Sequence, residues 1–512
     1  MRIRLAVSIV AIGSCAYAGT GTASARKEVP HGVPQISSFR ADPTIVASGG
    51  TTVVTASISI SKKCKLSATP KLTSLKGKFP CEAQPSPTPE VDRELTLPAN
   101  TGTTPVNYVL TLTADGYTGK KASATAVVTV RPSGPTNGGV KAVAAGGRHT
   151  CALLSSGHID CWGDNTYGQL GVGKLPHLSD TPLEVKGISN AIQVTATERQ
   201  TCALLSTGHI DCWGENDFGE LGDGTQTASA APVEVAGITD ATQVTNGPDH
   251  ACAVLSGGHV DCWGGNGGQL GIGTSEGPET CVVKAVEGPC SKTPVEVPGI
   301  TDAIGVAAGA EHTCVLLATG QVDCWGRNGY GQLGTGTDTG PEKCEGGEFG
   351  YCYTAPVEVM GVSGAVELSA GSAHSCVLLA AGNIDCWGED HDGELGNGIE
   401  TPFEPAVEVQ GISEAAQVVA GGRHTCALLS SGHIECWGAA NFGDGVEFQE
   451  ESLTPVEPKE LTNVTQVAAN LWHTCAVQTD GDVDCWGEDK YGELGDGTTK
   501  RDEITPVEVV GL

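Results

Sequence analysis

The sequence predicts an all-β chain in two parts, a small sandwich followed by seven repeated units that stand as blades or coils. Three observations carry this. Between Val140 and Leu512 one motif recurs seven times, and each copy closes with two cysteines ten residues apart, the first of each pair at 151, 202, 252, 314, 376, 426 and 475. A period near fifty with strand-like runs is the scale of architectures whose units pack only on their neighbours. Glycine supplies 72 of 512 residues, about twice its usual share, while aromatics make up only 4%. Seven of the eight tryptophans are the single Trp of each repeat, so the core is left to Val, Leu, Ile, Ala and paired cysteine.

In chain order, Arg2 and Arg4 precede an apolar stretch from Leu5 to Ala16, and small-residue cleavage sites follow at Ala16–Ala18 and Ala23–Ala25. This pattern predicts a secretory signal over residues 1–25. Ile12-Gly13-Ser14-Cys15 also resembles a lipobox, in which Cys15 would be lipidated and would tether the chain to a membrane. No later stretch has the eighteen apolar residues of a membrane span. The expected location is therefore extracellular or at the cell surface.

Residues 26–131 have a different texture. The runs 51–60, 106–113 and 122–130 alternate or are β-branched, with Pro- and Gly-containing turns between them. They predict a small antiparallel sandwich, which resembles immunoglobulin-like modules. Residues 132–139, rich in Pro, Gly, Asn and Thr, read as the linker to the repeat domain at 140–512.

Setting Cys15 aside, every cysteine has a local partner, as suits an oxidised exported chain. The expected disulfides are Cys64–Cys81, Cys151–Cys161, Cys202–Cys212, Cys252–Cys262, Cys281–Cys290, Cys314–Cys324, Cys344–Cys352, Cys376–Cys386, Cys426–Cys436 and Cys475–Cys485. The repeat pairs follow from hairpin geometry. A three-residue loop wants a glycine in the left-handed region, and glycine stands there in all seven copies, at 157, 208, 258, 320, 382, 432 and 481. Counting outward puts Cys151 opposite Cys161 in a non-hydrogen-bonded pair, where Cα atoms approach to about 4.5 Å. The rival is metal, because His-x-Cys recurs at 149/151, 250/252, 312/314, 374/376, 424/426 and 473/475. Repeat two has Gln200 at the histidine position yet keeps both cysteines, which suits a disulfide and not a zinc site. The histidines are expected to wedge between neighbouring units, bonded to backbone.

Val143-Ala-Ala-Gly-Gly-Arg-His-Thr, then Gly-His-Ile-Asp-Cys-Trp-Gly163, then Asn165-Thr-Tyr-Gly-Gln-Leu-Gly171, closing with Pro182-Leu-Glu-Val, resembles the repeat of the regulator of chromosome condensation family. The resemblance implies a seven-bladed β-propeller whose closed ring leaves only short, protected edges. Glycines in the Gly-x-x-x-Gly-x-Leu-Gly segment would let a compact loop cross a blade edge. Repeat six lacks Gln-Leu-Gly in residues 438–445, so one loop should be short.

Fold does not carry function with it. The family's eponym exchanges nucleotide on a nuclear GTPase docked on chromatin, and guanine-nucleotide exchange is disfavoured here by export and by charge. The formal charge is −31, which repels phosphate backbones and anionic headgroups and argues against nucleic acid as a partner. Asp160, Asp211, Asp261, Asp323, Asp385, Glu435 and Asp484 form a carboxylate series, one per repeat, expected to serve the strands by bonding backbone. Acidic loops such as 214–224 lack EF-hand spacing, and Gln169 and Gln332 replace Glu220 in other copies, so no calcium or other metal and no cofactor is expected. GxSxG, HExxH and P-loop motifs are absent.

What does not repeat is the pair of insertions, Thr274–Thr293 and Thr337–Ala355, each carrying its own cysteine pair and both leaving the repeat at the same point. They should stand side by side as a ridge topped by Phe349, Tyr351 and Tyr353. Aromatics on a rigid loop are material for a binding hot spot. The expected function is thus a monomeric, non-enzymatic exported scaffold binding a protein or glycan partner, with those three aromatics at the site. The alternatives are a hydrolase or lyase in the central channel and a purely structural spacer. Unlike polar residues at the channel mouth would favour the enzyme, and a smooth repeated surface the spacer.

Overall fold

The computed structural model describes residues 34–42, 45–46, 51–59, 61–72, 90–98, 106–116, 120–130, 139–174, 176–344, 350–439, 443–445, 451–459, 461–499 and 502–512. The expected signal segment, Cys15, Cys81, the linker at 132–138 and Phe349 lie outside them. The chain divides into two units, residues 1–134 and 135–512. Every described element is a strand.

Among its described residues the first unit holds seven strands: β1 (Gln35–Asp42), β2 (Ile45–Val46), β3 (Thr51–Ser59), β4 (Ser61–Thr69), β5 (Glu90–Thr96), β6 (Val106–Gly116) and β7 (Lys121–Val130). They form two sheets, ordered β1-β3-β5 and β2-β7-β6-β4. Alternation sends Val54 and Leu95 from one sheet, and Leu66, Leu110, Leu112 and Val128 from the other, into a single core. The expected sandwich is antiparallel with one exception, because the short β2 runs parallel to β7. Cys64 is buried and disulfide-bonded.

The second unit is built from seven sheets, each from one contiguous stretch of chain: 140–184, 191–234, 241–296, 303–358, 365–408, 415–456 and 464–508, called blades 1 to 7. In blade 1, β8 (Val140–Ala145), β9 (His149–Leu154), β10 (Ile159–Asp164) and β11 (Leu178–Glu184) lie in chain order across the sheet. The others repeat this order. Each blade packs on the next, and β9's counterpart in blade 7 packs on β8, so the ring closes on itself.

The hairpin is as the spacing requires. Leu154 N–H donates to the His158 carbonyl at 2.9 Å and Gly157 N–H to the Leu154 carbonyl at 2.9 Å. Gly157 takes φ +84°, a region that only glycine enters freely. Cys151 then lies opposite Cys161 with Cα atoms 4.1 Å apart, and the pair is oxidised. The other six repeat pairs and the two insertion pairs, Cys281–Cys290 and Cys344–Cys352, are oxidised likewise. The sulfurs are not surface staples. Cys151, Cys161 and Trp213 share one buried cluster with Leu153, Ile159 and Val194, and each such cluster joins two adjacent blades.

Closing so short a loop is worth about 2–3 kcal/mol on chain entropy, less here because the turn already favours the hairpin. Cys151→Ala should therefore keep the β-sheet circular dichroism while lowering the melting temperature by a few degrees, leaving Cys161 as a reactive thiol. Loss of sheet signal throughout the domain would show that the blades do not stand independently of this bond.

Candidate interaction face

The ring is joined by a repeated hydrogen-bond chain. After Trp-Gly in blade 1, Asn165 Nδ2 donates to the carbonyls of Gly173 (3.0 Å) and Pro176 (2.7 Å), Leu170 N–H donates to Asn165 Oδ1 (3.1 Å), and Tyr167 N–H to Gln169 Oε1 (2.9 Å). The loop so folded turns the Gln169 carbonyl toward blade 2. There it accepts from Trp213 Nε1 (2.8 Å) and Thr201 Oγ1 (2.9 Å), and Thr201 meets His149 Nε2 (2.8 Å). Gly171 has no room for a Cβ, which would lie 2.9 Å from Trp213 Nε1. The histidines do wedge between blades, but their rings bond a hydroxyl and not backbone.

Because the Thr201 proton goes to Gln169, His149 Nε2 carries its own proton and donates it to Thr201 Oγ1. Burial first, then His473, lowers the His149 pKa to about 3, and burial holds His250 at about 4. The Gln-to-Glu exchanges among the loops also have a reason: Glu220 Oε2 accepts from Phe218 N–H (2.9 Å) as Gln169 does from Tyr167. Burial pushes Glu220 up to about 8, close to a neutral amide mimic.

Two repeats depart together. Blade 2 has Gln200 where others have histidine, and blade 3 has Ala251 where others have Thr or Ser. Gln200 Nε2 reaches past the missing hydroxyl and donates directly to the Glu220 carbonyl at 2.6 Å. In repeat six, residues 440–442 lie outside the described ones, yet the altered loop leaves a trace. Six indoles donate to a loop carbonyl, whereas Trp486 Nε1 has no partner among the described residues.

Inside the ring, the third residue of the innermost strand bridges to the next blade in five of the seven blades; in blades 1 and 4 it is Ala142 and Gly305. Gln193 Nε2 donates to the Val244 carbonyl (2.9 Å) while Val244 N–H donates to Gln193 Oε1 (3.1 Å). Gln243, Gln417 and Gln466 do the same toward Val306, Val467 and Val143. In blade 5 the residue is Glu367, which accepts from the Val418 backbone and whose pKa burial raises to about 7. The protonated acid keeps a donor, like the amides; the carboxylate has none. Gln193, Glu367, Gln417 and Gln466 line a channel of about 350 Å³.

At one mouth of the channel the repeat stops being uniform. The residue before each histidine, or before Gln200, is Arg148, Arg199, Asp249, Glu311, Ala373, Arg423 and Trp472 in turn. The arginines reach back to the preceding blade: Arg148 stacks 4.8 Å from the Tyr491 ring, Arg199 stacks 4.9 Å from Tyr167, and Arg423 lies 3.5 Å from Asp392. Arg199 also pairs with Glu215 at 3.2 Å, and blade 4 inverts that pair as Glu311–Arg327. Asp249 has burial and the nearby Glu215 and Glu198 against it, and its carboxyl rises to about 6. Trp472, at the position of those arginines, is 52% exposed. Beside it Leu471 lines the channel mouth, and Asn470 Nδ2 donates to the Ala145 and Ala196 carbonyls at 2.9 and 3.3 Å. Sequence reasoning passed over Trp472; the signal was that it is the one tryptophan outside the repeat.

The insertions lie on this same face. Cys344, Gly350 and Cys352 enclose a small cleft with Glu311 and Arg327. Each insertion adds a fifth strand to its own blade, Glu279–Val283 to blade 3 and Glu342–Lys343 to blade 4. Each also leans on the loop before it, with Cys281 Sγ 3.4 Å from the Phe218 carbonyl. Two of the three expected aromatics are described, and both lie on the strand Tyr351–Glu358. Tyr353 packs partly buried against the cluster between blades 4 and 5, Tyr351 lies half-buried with Lys343 Nζ 4.8 Å from its ring, and Phe349 is outside the described residues.

In the carboxylate series, Asp160 and Asp211 meet a carboxylate instead of the expected backbone. Asp160 and Asp211 face Glu184 and Glu234 across the strands, and burial followed by that glutamate raises both. Among the described residues the one close group of three His, Cys, Asp or Glu ligands is Glu342, Cys344 and Cys352, and its two sulfurs are bonded to each other.

The repeat described as regulator of chromosome condensation (RCC1) repeat matches residues 140–204, 208–254, 257–394, 415–444 and 464–493. The chain belongs to that family. It is 27% identical over 276 residues to human E3 ubiquitin-protein ligase HERC2, a match covering 51% of this chain and 5% of that protein. It is 31% identical over 264 residues to the ultraviolet-B receptor UVR8 of Arabidopsis thaliana, covering 51% and 55%. Among solved structures, human WBSCR16 superposes with a TM-score of 0.59 at 20% identity, over 69% of this chain and 94% of that one. Yeast RCC1 (Prp20) bound to Kap60 gives 0.56 at 20%, over 69% and 84%. The chain therefore spans a small to moderate part of the curated relatives it matches, and the solved structures establish the propeller fold.

Two outcomes test the joints. Gln200→His or Ala251→Thr alone should destabilise the domain by about 1–2 kcal/mol, each leaving a buried polar group unmatched. The double variant should recover most of the loss, read as non-additivity in a thermal double-mutant cycle; simple additivity would sink the latch. Glu367, raised in the fold, stabilises it fully below about pH 4.5 and loses that contribution as pH rises through about 7. Glu367→Gln should thus raise the melting temperature at pH 8.5 and leave it nearly unchanged at pH 4.5.

Proposed function

We propose that this chain is an exported propeller that holds a protein partner on the insertion-bearing face. The observation that carries the reading is Trp472, half exposed at a position where three other blades place an arginine that reaches back to the preceding blade. Its neighbours by register are Arg148 stacked on Tyr491 on one side and Arg423 on the other. Trp, Tyr and Arg are the residues that dominate interface energetics. Tyr351 extends the face over blade 4, and Phe349 stands two residues before it in sequence. The underlying scaffold is rigid, so little ordering entropy is lost on binding. Nine disulfides between described residues suit an oxidising compartment, which supports export. Protein binding has a precedent in the yeast RCC1 structure, which carries Kap60.

Catalysis at the channel mouth is the second reading. Thr197, Glu198, Asn246, Asp249 and Asn470 differ from their counterparts and gather in or beside the channel at blades 7, 2 and 3. The histidine–hydroxyl pairs lie between blades and are spent on the ring, so they do not serve that reading.

Trp472→Ala should weaken capture of the partner by roughly thirtyfold while leaving the melting temperature within about 2 °C. Phe349→Ser with Tyr351→Ser should act in the same direction. Cross-linking of the captured complex should mark residues around Trp472 and Tyr351. Cross-links confined to the hairpin turns at Gly157 and its counterparts would overturn the assignment.

A further inference from the structure

The net acidity of the chain is not evenly spread. Residues 26–134 carry 13 Lys and Arg against 7 Asp and Glu, whereas residues 135–512 carry 14 against 53. A basic module in so acidic a protein is not explained by solubility, and its described lysines are not scattered. On β4, Cys64 and Leu66 point into the core while Lys63 and Lys65 are exposed. Register then sets them in rows across three strands: Lys63, Asp115 and Lys121; Lys65, Thr113 and Ser123; Ser67, Thr111 and Thr125. Lys120 and Lys71 are exposed at the ends of neighbouring segments. Lys121–Asp115, at 3.3 Å, is the one ion pair in this unit among the described residues, so the remaining lysines face solvent without an acidic partner there.

We propose that the outer face of the β2-β7-β6-β4 sheet binds an acidic, carboxylate-bearing polysaccharide. Lysines two strands apart stand roughly 10 Å from each other and those two residues apart about 7 Å, so a linear polyanion lying on the sheet meets several at once. Ser67, Thr111, Thr113, Ser123 and Thr125 supply hydroxyls between the charges for a sugar's own hydroxyls. The face lacks what other polyanions use. Among its described residues there is no aromatic platform for stacking bases, no arginine fork for phosphate, and no amphipathic helix to enter a bilayer. This reading goes beyond partner binding by the propeller and does not depend on it.

The test uses the full chain with polygalacturonate as probe and dextran as the neutral control. Binding to polygalacturonate should fall steeply between 50 and 300 mM salt, and dextran should not bind. Lys63→Gln with Lys65→Gln, Lys120→Gln and Lys121→Gln should lose at least tenfold in affinity, with unchanged circular dichroism. Trp472→Ala should bind the polymer as the unmodified chain does, which separates this face from the propeller's. No binding at 50 mM salt, or equal binding by the quadruple variant, would overturn the proposal, as would tighter binding to duplex DNA or to phosphatidylglycerol vesicles. Should the quadruple variant misfold, the salt dependence and dextran control of the unmodified chain still decide the matter.

Discussion

The propeller depends on one acceptor, the backbone carbonyl of the residue before Leu-Gly, which six of the seven loops present to the next blade. In blade 1 this is Gln169, which takes the indole proton of Trp213 and the hydroxyl proton of Thr201, the latter bridged to His149. The group lies in a desolvated joint where an unmet donor is costly. The loop's internal bonds, through Asn165 and the Gln169 side chain, exist to aim it. Three otherwise unrelated features of the motif, its Trp, its His-Thr and its Gly-x-Leu-Gly, are parts of this one contact. The joint between blades 7 and 1 has the same form, with Trp162 and Thr150 on the Glu493 carbonyl and His473 behind.

Most of the architecture was legible because it repeats. Hairpin register, the left-handed glycines and the cysteine pairing all follow from local spacing, and seven copies average out the ambiguity of one. The histidine role was half legible. Spacing placed it between blades, but the hydroxyl it bonds sits about fifty residues away, and only the paired departures Gln200 and Ala251 hint at it. The parallel β2–β7 pair was hidden because two residues of strand carry no periodicity.

The interaction face was the least legible part for an opposite reason. A site built on a repeat consists of exceptions, and an exception at one position looks like drift until the fold shows which exceptions are neighbours. Arg148 and Tyr491 are far apart along the chain, and closure of the ring brings blade 1 and its arginine onto blade 7, which also carries Trp472. Phe349, Tyr351 and Tyr353 read as one cluster because they lie within five residues, yet Tyr353 also packs against the core cluster between blades 4 and 5, a contact that spacing alone does not show. The charge of −31 likewise hid a module of opposite sign, since a sum over the chain erases its distribution.

Every disulfide between described residues joins cysteines eight to ten positions apart, inside a single blade. No covalent bridge crosses from one described blade to another. Oxidation therefore hardens the bricks and leaves the mortar between them entirely non-covalent. A protease that nicks a connection between two blades meets no second strand of covalent restraint there. A pulling force applied at the ends would part the ring at its seams, delivering blades that are each still tied shut.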